Sequence, residues 1–189
     1  MDFEFFEKLA SAEANASLER FLALGSANVG DLLAQCAQAG IVCNWTIESV
    51  PVFLRWVSTK LTIVRTAPDP EVPEWIRKTD TYVKNLFEFD EPSRILILRA
   101  AYYLGETFVR NCEGLHWTVG NTETAVGKMP VVSGFHRGFE MAPILIAENL
   151  FGRVATDPAK LGDIDTAIAT WKNRLGGRPF RVRPAVRNC

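Results

Sequence analysis

The stretch ILILRAAYYLGETFVRN, from Ile95 to Asn111, constrains the fold more than any other part of the chain. Wound as a helix it is apolar almost all the way round, and such a helix has to be covered by neighbours on most sides. Four residues interrupt the apolar surface: Arg99, Tyr103, Glu106 and Arg110. At about 100° per residue, with Arg99 as origin, Tyr103 falls at about 40°, Glu106 at about −20° and Arg110 at about 20°, so the four share one narrow stripe. Gly105, in the interior, costs about 1 kcal/mol against alanine, which close approach of another backbone would offset. The segment therefore predicts a central helix over about residues 91–112. Asp90 is its cap, Pro92 lies in its first turn, and Gly114 supplies a left-handed end.

The segments on either side set the fold class. Residues 3–23 have helical spacing and Gly25 reads as their stop; a short helix then begins at Asn28 or Gly30 and closes at Gly40. Ile41 to Asn44 read as an extended link. Ser49 reads as the cap of PVFLRWVSTKL, with Pro51 just inside. APDPEVPEW has three prolines in nine residues and reads as a loop. Pro73 then opens PEWIRKTDTYVKNLFEF, a helix expected to turn Trp75, Ile76, Tyr82, Val83 and Leu86 to the core. After the central helix the period changes. LHWTVG and MPVVSGF are β-branched or aromatic, and predict an antiparallel hairpin over about 115–135. Met129, Phe135, Phe139 and Met141 at its end read as core. Helices from Pro143 and from about Asp163 follow, the second stopped at Gly176. The expectation is α+β: a mostly helical single domain over 1–175, with a small antiparallel sheet packed on a long central helix. It divides into a helical part, 1–66, and a helix–hairpin–helix core, 73–175. A tail, 176–189, follows.

Charge narrows the partners. The 189-residue chain has a net charge of −1, but the tail GGRPFRVRPAVRNC holds Arg178, Arg181, Arg183 and Arg187 and no acid, leaving 17 basic against 22 acidic residues, or −5, for the rest. Four arginines with one aromatic make a weak nucleic-acid signal. The N-terminus lacks the basic start and apolar run of a secretory signal, and no apolar run reaches bilayer length. Cys36, Cys43, Cys112 and Cys189 form no CxxC pair, which predicts reduced thiols in the cytoplasm.

Candidate chemistry is sparse. The plain reading of the stripe is a solvated face with Glu106 and Arg110 as an i,i+4 pair. It competes with a structural ion pair tying the helix to a loop, and with a ligand or partner site. His116 and His136 are the only histidines, and no HxH, HxxxH or Cys/His spacing predicts a metal. GNTETAVGK is no phosphate loop, because Gly120 and Gly127 are seven apart and Met129 follows Lys128. SGFHRGFE, with His136, Arg137 and Glu140 just before a helix start, is the most site-like loop. No cofactor is expected.

AYYLGETFVRNCEGLHW, the hairpin with PVVSGF, and APILIAENLFGRV together resemble small uncharacterised bacterial domains in which a Y-L-G-E helix leads into a Gly-x-x-Trp strand. Some of these look like immunity proteins of bacterial toxin systems. The likeness covers about residues 91–154 and is a core pattern that transfers no catalytic residues. It implies a bacterial cytosolic protein with a toxin as partner, in which Glu106 and Trp117 pack the core. The leading expectation is thus a protein-binding module. The alternative is a small-ligand binder or enzyme with a pocket between the long helix and the hairpin, served by Arg99, Glu106, Arg110, His116 and His136.

Overall fold

Asp90 and Pro92 start the central helix where the sequence places them. The computed structural model describes residues 9–124 and 126–176. In it, the Asp90 carboxylate accepts the Ser93 N–H at 2.9 Å, and Pro92 sits in the first turn of the helix Glu91–Asn111. Three other helices cover this helix: Ser11–Gln38 (α1), Ser49–Ser58 (α2) and Pro143–Thr156 (α6). Ala100, Ala101, Tyr102 and Tyr103, four consecutive residues about 100° apart, are all buried, which accounts for the apolar surface that runs almost all round it. With α3 (Glu74–Arg77) and α4 (Asp80–Lys84) counted before it, the central helix is α5, and Asp163–Asn173 is α7. The fold is α+β and mostly helical.

The hairpin forms as expected. β3 (His116–Val119) pairs antiparallel with β4 (Pro130–Ser133), Trp117 lying opposite Val132. Met141 adds a bridge to Val132, its N–H reaching the Val132 carbonyl at 2.9 Å. Met129, Phe135 and Met141 are buried, but Phe139 is 42% exposed, because it lies beyond the turn His136–Gly138, where its ring faces the Arg174 guanidinium. Gly114 is left-handed at φ 80°, two residues beyond the extended Cys112 that ends α5.

Four expectations are corrected. Gly25 does not stop a helix and Asn28 or Gly30 does not start one: α1 runs unbroken from Ser11 to Gln38, until the left-handed Gly40 turns the chain. Its buried stripe, Gly25, Val29, Leu32 and Cys36, repeats at helical spacing straight through the supposed break. Residues 3–8 of the expected helix lie outside the described residues. Ser49 is not a cap but the first residue of α2, and its hydroxyl donates to the Thr46 carbonyl at 2.7 Å instead.

The third correction concerns the segment after Pro73. It forms α3 and α4, broken where the Thr79 hydroxyl accepts the Tyr82 N–H at 3.2 Å, and then a strand. Trp75 and Val83 point to solvent, 73% and 51% exposed, while Ile76, Tyr82 and Leu86 are half-buried. Fourth, a second ribbon exists. β1 (Ile63–Arg65) pairs antiparallel with β2 (Phe87–Phe89), and the arm carrying α3 and α4 loops out between them. The tail from Gly177 onward lies outside the described residues.

Candidate functional site

The stripe on α5 is a network and not a row of solvated charges. Glu106 is held between two partners: Oε1 accepts Arg110 Nε at 2.7 Å and Oε2 accepts the Trp117 Nε1–H at 3.1 Å. Its side chain is only 17% exposed. The Arg110 guanidinium lies 3.9 Å from the centre of the Trp45 ring. Asn111, one residue on, donates to the Trp45 carbonyl at 2.6 Å. Tyr103 is wholly buried, and its hydroxyl accepts the Trp45 N–H at 3.2 Å. Arg99 is the outlier of the stripe, reaching Asn28 on α1 at 3.4 Å.

Trp45 is therefore the centre of the arrangement, and sequence reasoning passed over it. Its φ is 60°, a left-handed conformation that a bulky side chain rarely adopts. Its N–H, its carbonyl and its ring are each engaged by a different residue of α5, which over-determines the strained backbone. The Glu106–Arg110 ion pair lies within α5, and what ties the helix to the loop is the Arg110 contact with the Trp45 ring and the hydrogen bonds to the Trp45 main chain. The one signal in the sequence was a tryptophan in a short link between helices.

Trp117 closes the other side of the network. Its ring lies parallel to Tyr102 at 6.3 Å, and Phe21 meets both rings edge-on at 5.5 and 6.2 Å. The ring edge abuts Gly105 at the junction of helix and hairpin. His116, next along β3, alternates to the exposed face, where Nδ1 lies 3.2 Å from the Gly114 carbonyl oxygen. No family model, curated protein or solved structure matches the chain.

The loop Ser133–Glu140 does not join this network. The His136 backbone N–H donates to the Arg174 carbonyl at 3.0 Å, and its ring borders Gly176. Arg137 is exposed at φ 57°. Glu140 points the other way and accepts the Asn121 N–H at 3.0 Å. Arg174 is packed between Phe139 and Trp171, with centroids at 4.3 and 4.4 Å, which clamps the loop onto the end of α7. The nine candidates therefore divide. Glu106, Arg110 and Trp117 converge, with Tyr103 joined through Trp45, while Arg99, His116 and the His136–Arg137–Glu140 group lie apart. Among the described residues, no group of three or more His, Cys, Asp or Glu side chains is arranged to hold a metal, and no helix is long and apolar enough to cross a membrane.

Two thiols lie close together, one on α1 and one in the link after it. Cys36 on α1 is fully buried, and Cys43 lies within its hydrogen-bonding reach. Burial, reinforced by Cys43, pushes the Cys36 thiol up from 9.0 to about 12. The folded protein thus keeps a proton that the unfolded chain releases above pH 9, so stability is full below pH 9 and falls as pH rises toward 12. Burial also raises Cys43, Tyr102 and Tyr103, which act in the same direction. Urea midpoints are expected to hold steady to about pH 9 and then decline. The decline should be shallower in Cys36→Ala, whatever that variant's absolute stability; equal slopes would remove Cys36 from the account.

Proposed function

We propose that the chain is a protein-binding module of the bacterial cytoplasm that acts by occluding a partner, in the manner of an immunity protein that neutralises a toxin. The observation that carries the binding role is Trp75, 73% exposed on the arm between β1 and β2, with Val83 at 51% on the neighbouring helix and Val64 at 53% on β1. An exposed tryptophan is what a protein interface is built around, since tryptophan is enriched among the residues that dominate binding energy. The arm is attached to the ribbon by polar contacts. Arg65 Nη1 of β1 reaches the Lys84 carbonyl at 3.2 Å, and within the arm itself Tyr82 accepts the Asp69 N–H at 3.1 Å. Its apolar residues therefore do little for the core. The charge of −5 outside the tail favours a partner with a basic surface, such as a nuclease, by steering and complementarity.

The test is capture from a bacterial lysate on the intact chain and on a Trp75→Glu, Val83→Glu double variant, followed by calorimetry with the purified partner. Both substitutions are at exposed positions, so the two baits should melt alike. The wild-type bait is expected to hold one partner stoichiometrically, and the variant to bind it at least about 30-fold more weakly. Co-expression should suppress that partner's toxicity. Equal affinity for both baits would place the interface elsewhere, and a harmless partner would end the immunity reading.

A further inference from the structure

Cys36 and Cys43, separated by six residues, are brought together by the turn that ends α1. The Gly40 N–H donates to the Ala37 carbonyl at 3.0 Å and the Ile41 N–H to the Cys36 carbonyl at 2.8 Å, with Gly40 left-handed at φ 73°. These two bonds reverse the chain and fasten the start of the link to the residue that carries the first thiol. Beyond the turn the link side chains alternate. Ile41 and Cys43 are half-buried, while Val42 and Asn44 are exposed, Val42 to 70%. Cys43 therefore comes back on the same side as Ile41, within hydrogen-bonding reach of the buried Cys36. The contact favours the proton on Cys36 and the charge on Cys43.

The two sulfurs differ in access. Cys43 is half-exposed on a link without helix or strand, so a small oxidant reaches it first, and Cys36 waits behind it on the end of a helix. We propose that Cys36 and Cys43 form a reversible disulfide in the folded protein on exposure to a hydroperoxide, fastening the link that carries Trp45 to α1. The Cys43 thiolate attacks one peroxide oxygen and the O–O bond breaks. Cys43 becomes a sulfenic acid, and the departing hydroxide takes up the proton its thiol released, leaving as water. The Cys36 sulfur then attacks the Cys43 sulfur, the S–O bond breaks, and the hydroxide leaves with the Cys36 proton as a second water. Each sulfur gives up one electron, and the peroxide is reduced to two waters. A small thiol reductant reverses the step by exchange. Burial keeps both thiols protonated near neutral pH, so pairing is slow there and quickens as pH rises. This suits the cytoplasmic setting proposed above, where thiols are reduced at rest and pair only under sustained oxidant. The disulfide is independent of the protein-binding role of the Trp75 arm.

The probe is hydrogen peroxide, added to the folded full chain and quenched into urea with iodoacetamide before digestion by trypsin and mass spectrometry. No lysine or arginine lies between Phe21 and Leu54, so both cysteines fall in the one peptide that ends at Arg55. That peptide is expected to lose two hydrogens and carry no alkyl group, while the near-ultraviolet circular dichroism of the protein stays native. Dithiothreitol should restore two alkylatable thiols. In Cys36→Ser the oxidation of Cys43 should stop at the sulfenic acid, giving at least about 10-fold more dimedone adduct there than wild type. In Cys43→Ser the buried Cys36 should remain a thiol; this half-exposed position keeps the test alive where a change at the buried one prevents folding. Both cysteines alkylated after treatment, Cys43 over-oxidised beside an alkylated Cys36, or a crosslink that forms only once the native signal is lost would each overturn the proposal.

Discussion

Gly105→Ala is expected to destabilise the protein by about 2–3 kcal/mol, although alanine is the better helix former by about 1 kcal/mol. A Cβ at Gly105 would stand inside the edge of the Trp117 ring and 2.9 Å from Pro143 Cγ. The ring has nowhere to retreat. Tyr102 and Phe21 back it, and its Nε1–H is held by Glu106. Moving it would strain the stack and break a hydrogen bond to a charged acceptor, worth about 1.5–3 kcal/mol. Gly30→Ala is the control, because an added Cβ there meets nothing within 4 Å, and it should gain about 0.5–1 kcal/mol. Gly25→Ala should behave like Gly105→Ala, since its Cβ would press into the Tyr102 ring, within 2.8 Å of Tyr102 Cβ. Both glycines abut one aromatic stack, so their double variant should be non-additive. Thermal melts of the four variants beside wild type decide the matter. A Gly105→Ala protein as stable as wild type would mean that Trp117 is not fixed where the structure has it.

Those glycines also mark where the sequence was legible and where it was not. Gly105 reads as a point of close approach because the apolar period continues on both sides of it, but what approaches is the Trp117 ring and the Pro143 side chain and not the backbone expected. Gly25 and Gly30 read as a stop and a start, since glycine is the commonest helix punctuation, and only the packing of Tyr102 reveals why one of them is needed inside a helix. The core from Asp90 onward was plain because each boundary has its own local signal: a carboxylate cap, a proline in the first turn, a change of period at Leu115. The arm between β1 and β2 was not. Its strands are three residues long, too short for alternation to show, and the break between α3 and α4 rests on one threonine hydroxyl.

The site divides along the same line. The i,i+4 spacing of Glu106 and Arg110 exposes their pairing directly. Their outer partners come from distant parts of the chain, Trp45 from the link after α1 and Trp117 from β3, and no local pattern specifies such contacts. Tyr103 sits at the edge of the same stripe by angle yet is wholly buried, because α2 packs over it and the 41–48 link supplies a polar partner for its hydroxyl.

Tyr103→Ala is expected to cost about 3–5 kcal/mol, and Tyr103→Phe about 1–3 kcal/mol. The first figure follows from emptying a fully buried ring site, packed 4.2 Å from Phe53 and 4.6 Å from Trp45. The second follows from a chain of hydrogen bonds. Ser49 Oγ lies 2.7 Å from both the Thr46 carbonyl and the Tyr103 hydroxyl. The serine proton is taken by the carbonyl, so tyrosine donates to serine, and the Trp45 N–H in turn donates to tyrosine. Removing the phenol oxygen leaves a donor and an acceptor unsatisfied at once. It also removes one of the restraints that keep Trp45 at φ 60°. Tyr103→Phe should therefore do more than lower the unfolding free energy in a denaturant titration. The Trp45 amide should exchange with solvent faster than in wild type, while the amides of β4, on the far side of the core, stay as protected as global stability allows. Ser49→Ala should share most of the Tyr103→Phe loss, so that the double variant costs less than the two singles added together. Strict additivity would separate the two hydroxyls and leave the strained Trp45 without the support described for it.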